Sequence, residues 1–286
     1  MVKLTKYALC VGYLPVLHYS GFSGQIHDSD NILTKVHVAL EKARMPSSVQ
    51  FASRTDRGVG AIHQVITLDT TRPPILSEVN AYLSKDIRVL GITPAPLSFD
   101  PRRDASLRTY SYFLNTEINN VAIKLQPILQ DFQGRHNFQN FTKKDPKRPH
   151  INYSRTIEKI EMKLVTDSVY QVQLVAKSFL WQQVRRIVGF LIELINGQRN
   201  DMDIHVLLNP EPSPSHPSIK KPAPAPAEYL ILEHIQYPHI KFHYDEKSVQ
   251  DFRNTLISHL ICTRSKAALF QFTLDTIGAL VSQNSR

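Results

Sequence analysis

Cysteine is close to absent from this chain: Cys10 and Cys262 are the only two in 286 residues. Two thiols so far apart make neither a disulfide framework nor a Cys-rich zinc site, and a reducing compartment is the expected setting. Long apolar runs are missing as well. No stretch approaches the roughly 18 uninterrupted apolar residues of a spanning helix, so no membrane partner is expected. A strand-like pattern begins within the first ten residues, which leaves no room for a signal or transit peptide, and the cytoplasm is the expected location. There is no Walker loop, no Gly-x-Gly-x-x-Gly and no metal-ligand spacing, and the 12 histidines are scattered, so neither a cofactor nor a metal is expected. Acid is in deficit. Against 34 Lys and Arg stand 25 Asp and Glu, a net charge of +9 and a pI near 9.5, a surplus that favours a polyanionic partner, RNA or DNA first. What the chain does have is apolar content: 42% of its residues are hydrophobic. That is enough for a sizeable core and excludes disorder as the whole answer.

The periodicities read as an α+β chain. Tyr7 to Tyr13 alternates as a strand. Ser29 or Asp30 then caps a helix carrying Ile32, Val36, Ala39, Leu40 and Ala43, with Pro46 marking its end. A short strand follows at Val49 to Ser53, and a polar loop from Arg54 to Ala61 leads into an alternating strand, Ile62 to Leu68. A helix capped at Ser77 and a strand at Ile87 to Ile92 complete a β-α-β-β-α-β order, which is ferredoxin-like. The second half repeats the order with longer insertions. Its strands are Leu107 to Leu114, Ile160 to Leu164, Tyr170 to Ala176 and Tyr229 to Ile235. The strongest helix is expected from a Ser178 cap to Gly197, with Leu180, Val184, Ile187, Leu191 and Leu194 in one stripe and Arg185 and Arg186 beside it. Seven prolines between Pro210 and Pro226 read as a mobile surface excursion. After His243, two amphipathic helices are expected, one over Val249, Phe252, Leu256 and Leu260, the other over Phe270, Leu274, Ile277 and Val281. The resulting divisions are 1–105, 106–240 with an insertion at 209–227, and a helical extension at 241–286.

The sharpest chemical feature is the loop Arg54-Thr55-Asp56-Arg57-Gly58-Val59, which sets one carboxylate between two arginines at a strand-to-strand turn. Neighbouring cations keep a carboxylate ionised and can orient it by charge-assisted hydrogen bonds, as a nucleophile requires. Composition alone offers a plainer reading, a loop ion pair with a turn glycine. Tyr110 and Tyr112 alternate with Leu114, which is also the pattern of core packing. Arg102-Arg103, Lys143-Lys144 and Lys147-Arg148 are candidate phosphate contacts or simply a solvated face. His63 and His136 read as ordinary polar residues.

Four ordered segments carry a resemblance. The Asp56 loop, Tyr19-Ser20-Gly21-Phe22, Arg108-Thr109-Tyr110-Ser111-Tyr112, and Ser178-Phe179-Leu180 running to Val184-Arg185-Arg186-Ile187-Val188-Gly189 resemble the signature motifs of the TruA family of tRNA pseudouridine synthases. Ala225, Pro226 and Leu230 resemble that family's late Ala-Pro-x-x-x-Leu strand start. The resemblance spans roughly Lys3 to Tyr237. It implies the pseudouridine synthase fold, two ferredoxin-like halves sharing a mainly antiparallel sheet, and Asp56 as nucleophile, Tyr110 as the aromatic against the target base and Arg185 as the ion-pair partner of Asp56. Arg54 falls where the family fills the space of the extruded nucleotide, and Arg57, Leu230, Lys143 and Lys144 are the further RNA-binding candidates. Such an enzyme breaks the N1 to C1′ bond of uridine, turns the uracil over and joins C5 to C1′, with no cofactor. The carboxylate either adds to the nucleoside or removes a sugar proton.

The resemblance further implies tRNA as partner, the anticodon stem-loop as target and a homodimer as working unit; the chain resembles the family's divergent eukaryotic branch, some of whose members act in mitochondria, so the mitochondrial matrix is the alternative location. Two departures stand out: Gly60-Ala61 follow Val59 where the family has His-Ala, and Leu14-Pro15-Val16 replace Asp-Gly-Thr after the first strand. The rival from another class is a non-catalytic RNA-binding or scaffold protein that keeps the fold. Asp56, Tyr110 and Arg185 together argue against it, because a binding module has no reason to keep that trio.

Overall fold

A computed structural model describes residues 4–24, 28–46, 48–118, 120–146, 150–209 and 219–283, with side chains as far as residue 274. The first half runs β1 (Thr5–Tyr13), α1 (Ile32–Lys42), β2 (Gln50–Phe51), β3 (Gly60–Thr70), α2 (Leu76–Asn80) and β4 (Ile87–Ala95). The second runs β5 (Leu107–Asn115), α3 (Val121–Phe132), β6 (Gly134–Asn137), β7 (Ser154–Thr166), β8 (Val169–Ala176), α4 (Gln183–Ile195), α5 (Asp203–Leu208) and β9 (Leu230–Gln236). A short strand β10 (His243–Tyr244) and a long helix α6 (Glu246–Gln283) close the chain.

The described strands form one ten-stranded sheet in the order β10-β4-β1-β3-β9-β5-β8-β7-β6, with β2 also on β3. Within it the same arrangement occurs twice. The order β4-β1-β3-β2 in the first half is matched by β9-β5-β8-β7 in the second, so each half is the expected ferredoxin-like unit with its fourth strand beside its first. The halves join through the one parallel pairing, Gly60 with Ile231 and Ala61 with Leu232. Strand β3 serves two partners on that side, since β2 pairs only with its far end, Gln50 to Thr67 and Phe51 to Ile66. The loop between β2 and β3 therefore emerges at the seam between the halves.

Burial follows what covers each face. In β8 the residues alternate between buried and half-buried, with Tyr170, Val172, Leu174 and Ala176 inward, the period of a sheet packed on one side. Inward-facing rings of Phe132, Phe138, Phe141 and Phe190 meet edge to face beneath α3 and α4, with centroids 5.2–6.1 Å apart. In β1 every residue from Ala8 to Tyr13 is buried. Leu9, Val11 and Tyr13 join the main core, and Cys10 packs with Leu14, Leu90 and Phe252 in a second cluster beneath the start of α6.

Several boundaries differ from the sequence expectation. Helix α1 is capped by Asn31, whose Oδ1 accepts from Leu33 N at 2.9 Å, and not by Ser29 or Asp30. Helix α2 starts one residue before Ser77, so Ser77 lies inside its single turn. Helix α4 starts at Gln183 and not at Ser178. Gln182 takes a left-handed conformation (φ 64°), and the Gln183 side chain reaches back to accept from Leu180 N at 2.8 Å. The four residues before it are thereby released to run across the seam. The two expected C-terminal helices are one, because no proline or glycine interrupts 246–275. Its described residues from Leu256 to Leu274 are all exposed. Among the described residues no helix is long and apolar enough to cross a membrane. Of the proline-rich excursion, residues 210–218 lie outside the described residues. Residues 219–226 have no helix or strand, as the prolines require, and hydrogen bonds tie them to α4: Ala225 N donates to Arg185 O, Arg186 Nη1 to Pro222 O, and Ala223 N to Glu193 Oε1.

Candidate active site

A cleft of about 1010 Å³ opens at the seam, lined by the β2–β3 loop, the start of β5, the segment from Lys177 to Arg185 and Leu230 of β9. Its floor is set by the turn at Asp56. Val59 N donates to Asp56 O at 3.1 Å, and Gly58 supplies the positive φ (84°) that the reversal needs. Behind the loop, Phe22 and Thr55 exchange backbone hydrogen bonds at 3.0 and 3.1 Å. Tyr13 and Thr55 share a hydroxyl hydrogen bond at 2.8 Å. Gly21 (φ 101°) sits so close that a Cβ there would fall 2.4 Å from Thr55 O. The early Gly-Phe turn is thus the backing of the Asp56 loop.

Asp56 is held on both oxygens. Arg185 Nη1 donates to Oδ2 at 2.8 Å, and Trp181 Nε1 donates to Oδ1 at 2.9 Å. The ion pair is half-buried, with 23% of the Asp56 side chain and 15% of that of Arg185 exposed, so solvent screens it only in part. Arg185 does not use both prongs on the carboxylate. Its Nε donates instead to Ala225 O at 2.8 Å, which places that segment directly behind the cation. Gly189 makes that approach possible, since a Cβ there would fall 1.9 Å from Ala223 O.

Tyr110, nearly buried on β5, faces the cleft and meets Phe179 edge to face at 5.3 Å. Burial pushes its hydroxyl up to about 12, with Arg108 opposing the shift and the Asp56 carboxylate adding to it. Tyr110 is therefore a neutral aromatic wall at any ordinary pH. Arg108, buried beside it, ties the cleft's strands together: it donates to Ser53 Oγ at 2.8 Å, to Ala52 O at 3.1 Å, to Arg102 O at 2.9 Å and to Lys177 O.

The structure sorts the remaining candidates. Arg54 lies at the cleft with its guanidinium 6.0 Å from the Trp181 ring, and Lys143 places its ammonium 4.5 Å over the same ring. Leu230, buried at the start of β9, lines the cleft. Arg57 also lines it, but its Nε is turned to Leu17 O at 2.7 Å, so the expectation that both loop arginines flank the carboxylate is corrected: the cation on Asp56 comes from Arg185, far along the chain. Consecutive residues of a tight turn point in different directions. Lys144 is outside the cleft lining and lies near Lys221, whose pKa burial lowers and Lys144 lowers further. Arg102 and Arg103 line the cleft, whereas Lys147 and Arg148 fall outside the described residues. Trp181, Arg155 and Lys177 also line it and carry no signal of their own in local sequence patterns. Trp181 had one available clue, as the chain's only tryptophan, immediately after Ser178-Phe179-Leu180.

A family model described as tRNA pseudouridine synthase matches residues 128–238, a span that takes in Arg185 and Leu230. The chain is 38% identical over 238 residues to tRNA pseudouridine synthase A of Methanopyrus kandleri, covering 82% of this chain and 88% of that one. It is 34% identical over 275 residues to tRNA pseudouridine synthase A of Thermococcus kodakarensis, covering 93% and 97%. It is 30% identical over 292 residues to tRNA pseudouridine(38/39) synthase of Mus musculus, covering 88% of this chain and 60% of that one. Identity at this level over nearly the whole length shows that the chain belongs to the TruA family of tRNA pseudouridine synthases.

Proposed function

We propose that this chain isomerises uridine to pseudouridine in tRNA, with Asp56 as the carboxylate that starts the reaction. The observation that supports this reading is the Asp56 arrangement itself: one carboxylate, held on both oxygens, at the floor of a cation-lined cleft with Tyr110 as an aromatic wall. The base must leave its stack, be turned over and be rejoined without escaping, and a cleft with an aromatic wall beneath a charged rim suits that sequence. Arg185 keeps the carboxylate beside a cation in partial shelter from water. Arg54, at the cleft mouth, takes the place of the extruded nucleotide. The cations of the rim, Arg102, Arg103, Lys143 and Lys177, position the RNA backbone without reading its sequence.

The finer proposals are a target in the anticodon stem-loop and a homodimer. The first draws on the mouse relative, whose name specifies positions 38/39, and the second on the family resemblance. A non-catalytic scaffold would have no use for the Asp56 geometry. The test is incubation of the purified protein with tRNA transcripts carrying tritium at uridine C5. Forming the C5 to C1′ bond expels the C5 hydrogen, so tritium appears in water while the RNA chain stays intact. Binding without tritium release would establish the scaffold reading, and light scattering with and without tRNA would decide the dimer.

A further inference from the structure

Trp181 is placed where packing alone does not put a tryptophan. About 36% of it is exposed, so it forgoes much of the gain that burying an indole offers. Its position is nevertheless fixed from three sides. The Trp181 carbonyl accepts from Lys143 N and from Thr142 Oγ1, both at 3.0 Å. Its ring carries the Lys143 ammonium at 4.5 Å, and its Nε1 donates to Asp56 Oδ1 at 2.9 Å. The left-handed Gln182 that follows turns the chain from this crossing into α4.

The carboxylate needs this second donor for a geometric reason. The terminal torsion of an aspartate is broad, with no sharp staggered wells. One prong from Arg185 fixes one oxygen and leaves the other to pivot about it. In the structure Arg185 gives the carboxylate only that prong, its Nε being turned to Ala225 O. Trp181 binds the other oxygen from a different element. A cation over the ring also draws electron density from the indole, which makes its N–H a better donor.

We propose that Trp181 is a positioning residue for the pseudouridylation reaction: Arg185 supplies the charge beside Asp56, and the Trp181 N–H fixes the plane of the carboxylate that faces the nucleoside. This rests on Asp56 being the reacting carboxylate. The misplacement of a reacting group by a fraction of an ångström is felt in turnover and not in substrate affinity.

Two substitutions separate this role from a structural one. Trp181→Phe keeps an aromatic ring under Lys143 and removes the donor. Trp181→His has a five-membered ring whose Nε2 occupies the place of the indole Nε1, and so restores it. With tritiated tRNA, W181F should lower kcat by roughly 10-fold, the scale of one oriented hydrogen bond. KM and the tRNA dissociation constant should stay within about twofold of wild type, and W181H should recover most of kcat. As the chain's only tryptophan, Trp181 also reports on itself: Asp56→Ala should shift its fluorescence emission with unchanged circular dichroism. A W181F enzyme with wild-type kcat, a W181H enzyme no better than W181F, a loss confined to KM and tRNA affinity, or an emission spectrum indifferent to Asp56→Ala would each overturn the proposal. If the wild-type protein releases no tritium, the functional reading falls and the proposal with it; if wild type and W181F are equally active, only the proposal falls.

Discussion

Arg185 meets Asp56 with one prong, through Nη1 at 2.8 Å, while its Nε holds the Ala225 carbonyl at 2.8 Å. The guanidinium thus joins the Asp56 loop to the segment behind α4, and its charge is only part of what it does. A lysine keeps the charge and loses the second link; a methionine loses both. Single-turnover rates on saturating tRNA should fall in the order wild type, Arg185→Lys, Arg185→Met, by roughly 10-fold and then at least another 10-fold. Equal rates in all three would remove Arg185 from the active site.

The Asp56 loop, the Tyr110 strand and the Arg185 helix are each legible in the sequence, because each is a short run with residue types tied to a chemistry. What joins them is not. Arg57 is adjacent to Asp56 in sequence and turns away to Leu17, whereas Trp181, which binds it, is 125 positions distant. Ser178 looks like a helix cap, but the residues after it are drawn across the seam by Asp56, Thr142 and Lys143, and long-range bonds of that kind leave no trace in local periodicity. At the C-terminus the apolar spacing slips between Leu260 and Phe270, which reads as two helices. Periodicity reports which face is covered, and a helix whose described residues from Leu256 to Leu274 are all exposed has no covered face to report.

Gly21 should tolerate no side chain. Its φ of 101° is costly for any L-residue, and a Cβ would lie 2.4 Å from Thr55 O and 2.7 Å from the Asp56 carbonyl carbon. Gly21→Ala should cost about 2–4 kcal/mol by the two effects together, read as a lowered urea midpoint. Turnover should fall with it, because the displaced backbone is that of the Asp56 loop. An alanine variant as stable and active as wild type would show that this turn does not support the site.

Alkali should unfold the protein before it inactivates Tyr110 in the folded state. Burial raises the hydroxyl pKa of Tyr13, Tyr110, Tyr112 and Tyr237, with Tyr110 at about 12. In the unfolded chain these groups titrate near 10. The folded state therefore holds its protons more tightly, a contribution fully present below about pH 10 and lost progressively as pH rises from there through the folded pKa. Urea midpoints measured across the alkaline range should be independent of tyrosine ionisation up to about pH 9 and fall steeply above 10. Tyr110→Phe should soften the steep part, and an unchanged slope would show that Tyr110 does not take part in the linkage.

The two departures from the family pattern touch each other. Gly60 stands where the family has histidine, and Pro15 lies in the replaced Asp-Gly-Thr segment; a Cβ at Gly60 would fall 2.9 Å from Pro15 Cδ and 3.0 Å from Pro15 N. The two changes are in contact: with a proline ring leaning on the start of β3, a side chain at Gly60 has to displace it. Gly60 also pairs with Ile231 at the seam of the two halves, so a shift there is carried into the loop that ends at Val59. Gly60→Ala should destabilise by about 1–3 kcal/mol, the usual cost of overpacking, with no backbone penalty because its φ lies outside the left-handed region. Pro15→Ala removes the ring carbon in closest contact and lets the segment yield. In that background the same Gly60→Ala change should cost less, giving a coupling energy of roughly 1 kcal/mol in a double-mutant cycle of urea unfolding. Tritium release should follow the same cycle, with the double mutant more active than Gly60→Ala alone. Strictly additive stabilities would mean that the close contact between Pro15 and Gly60 carries no energetic weight.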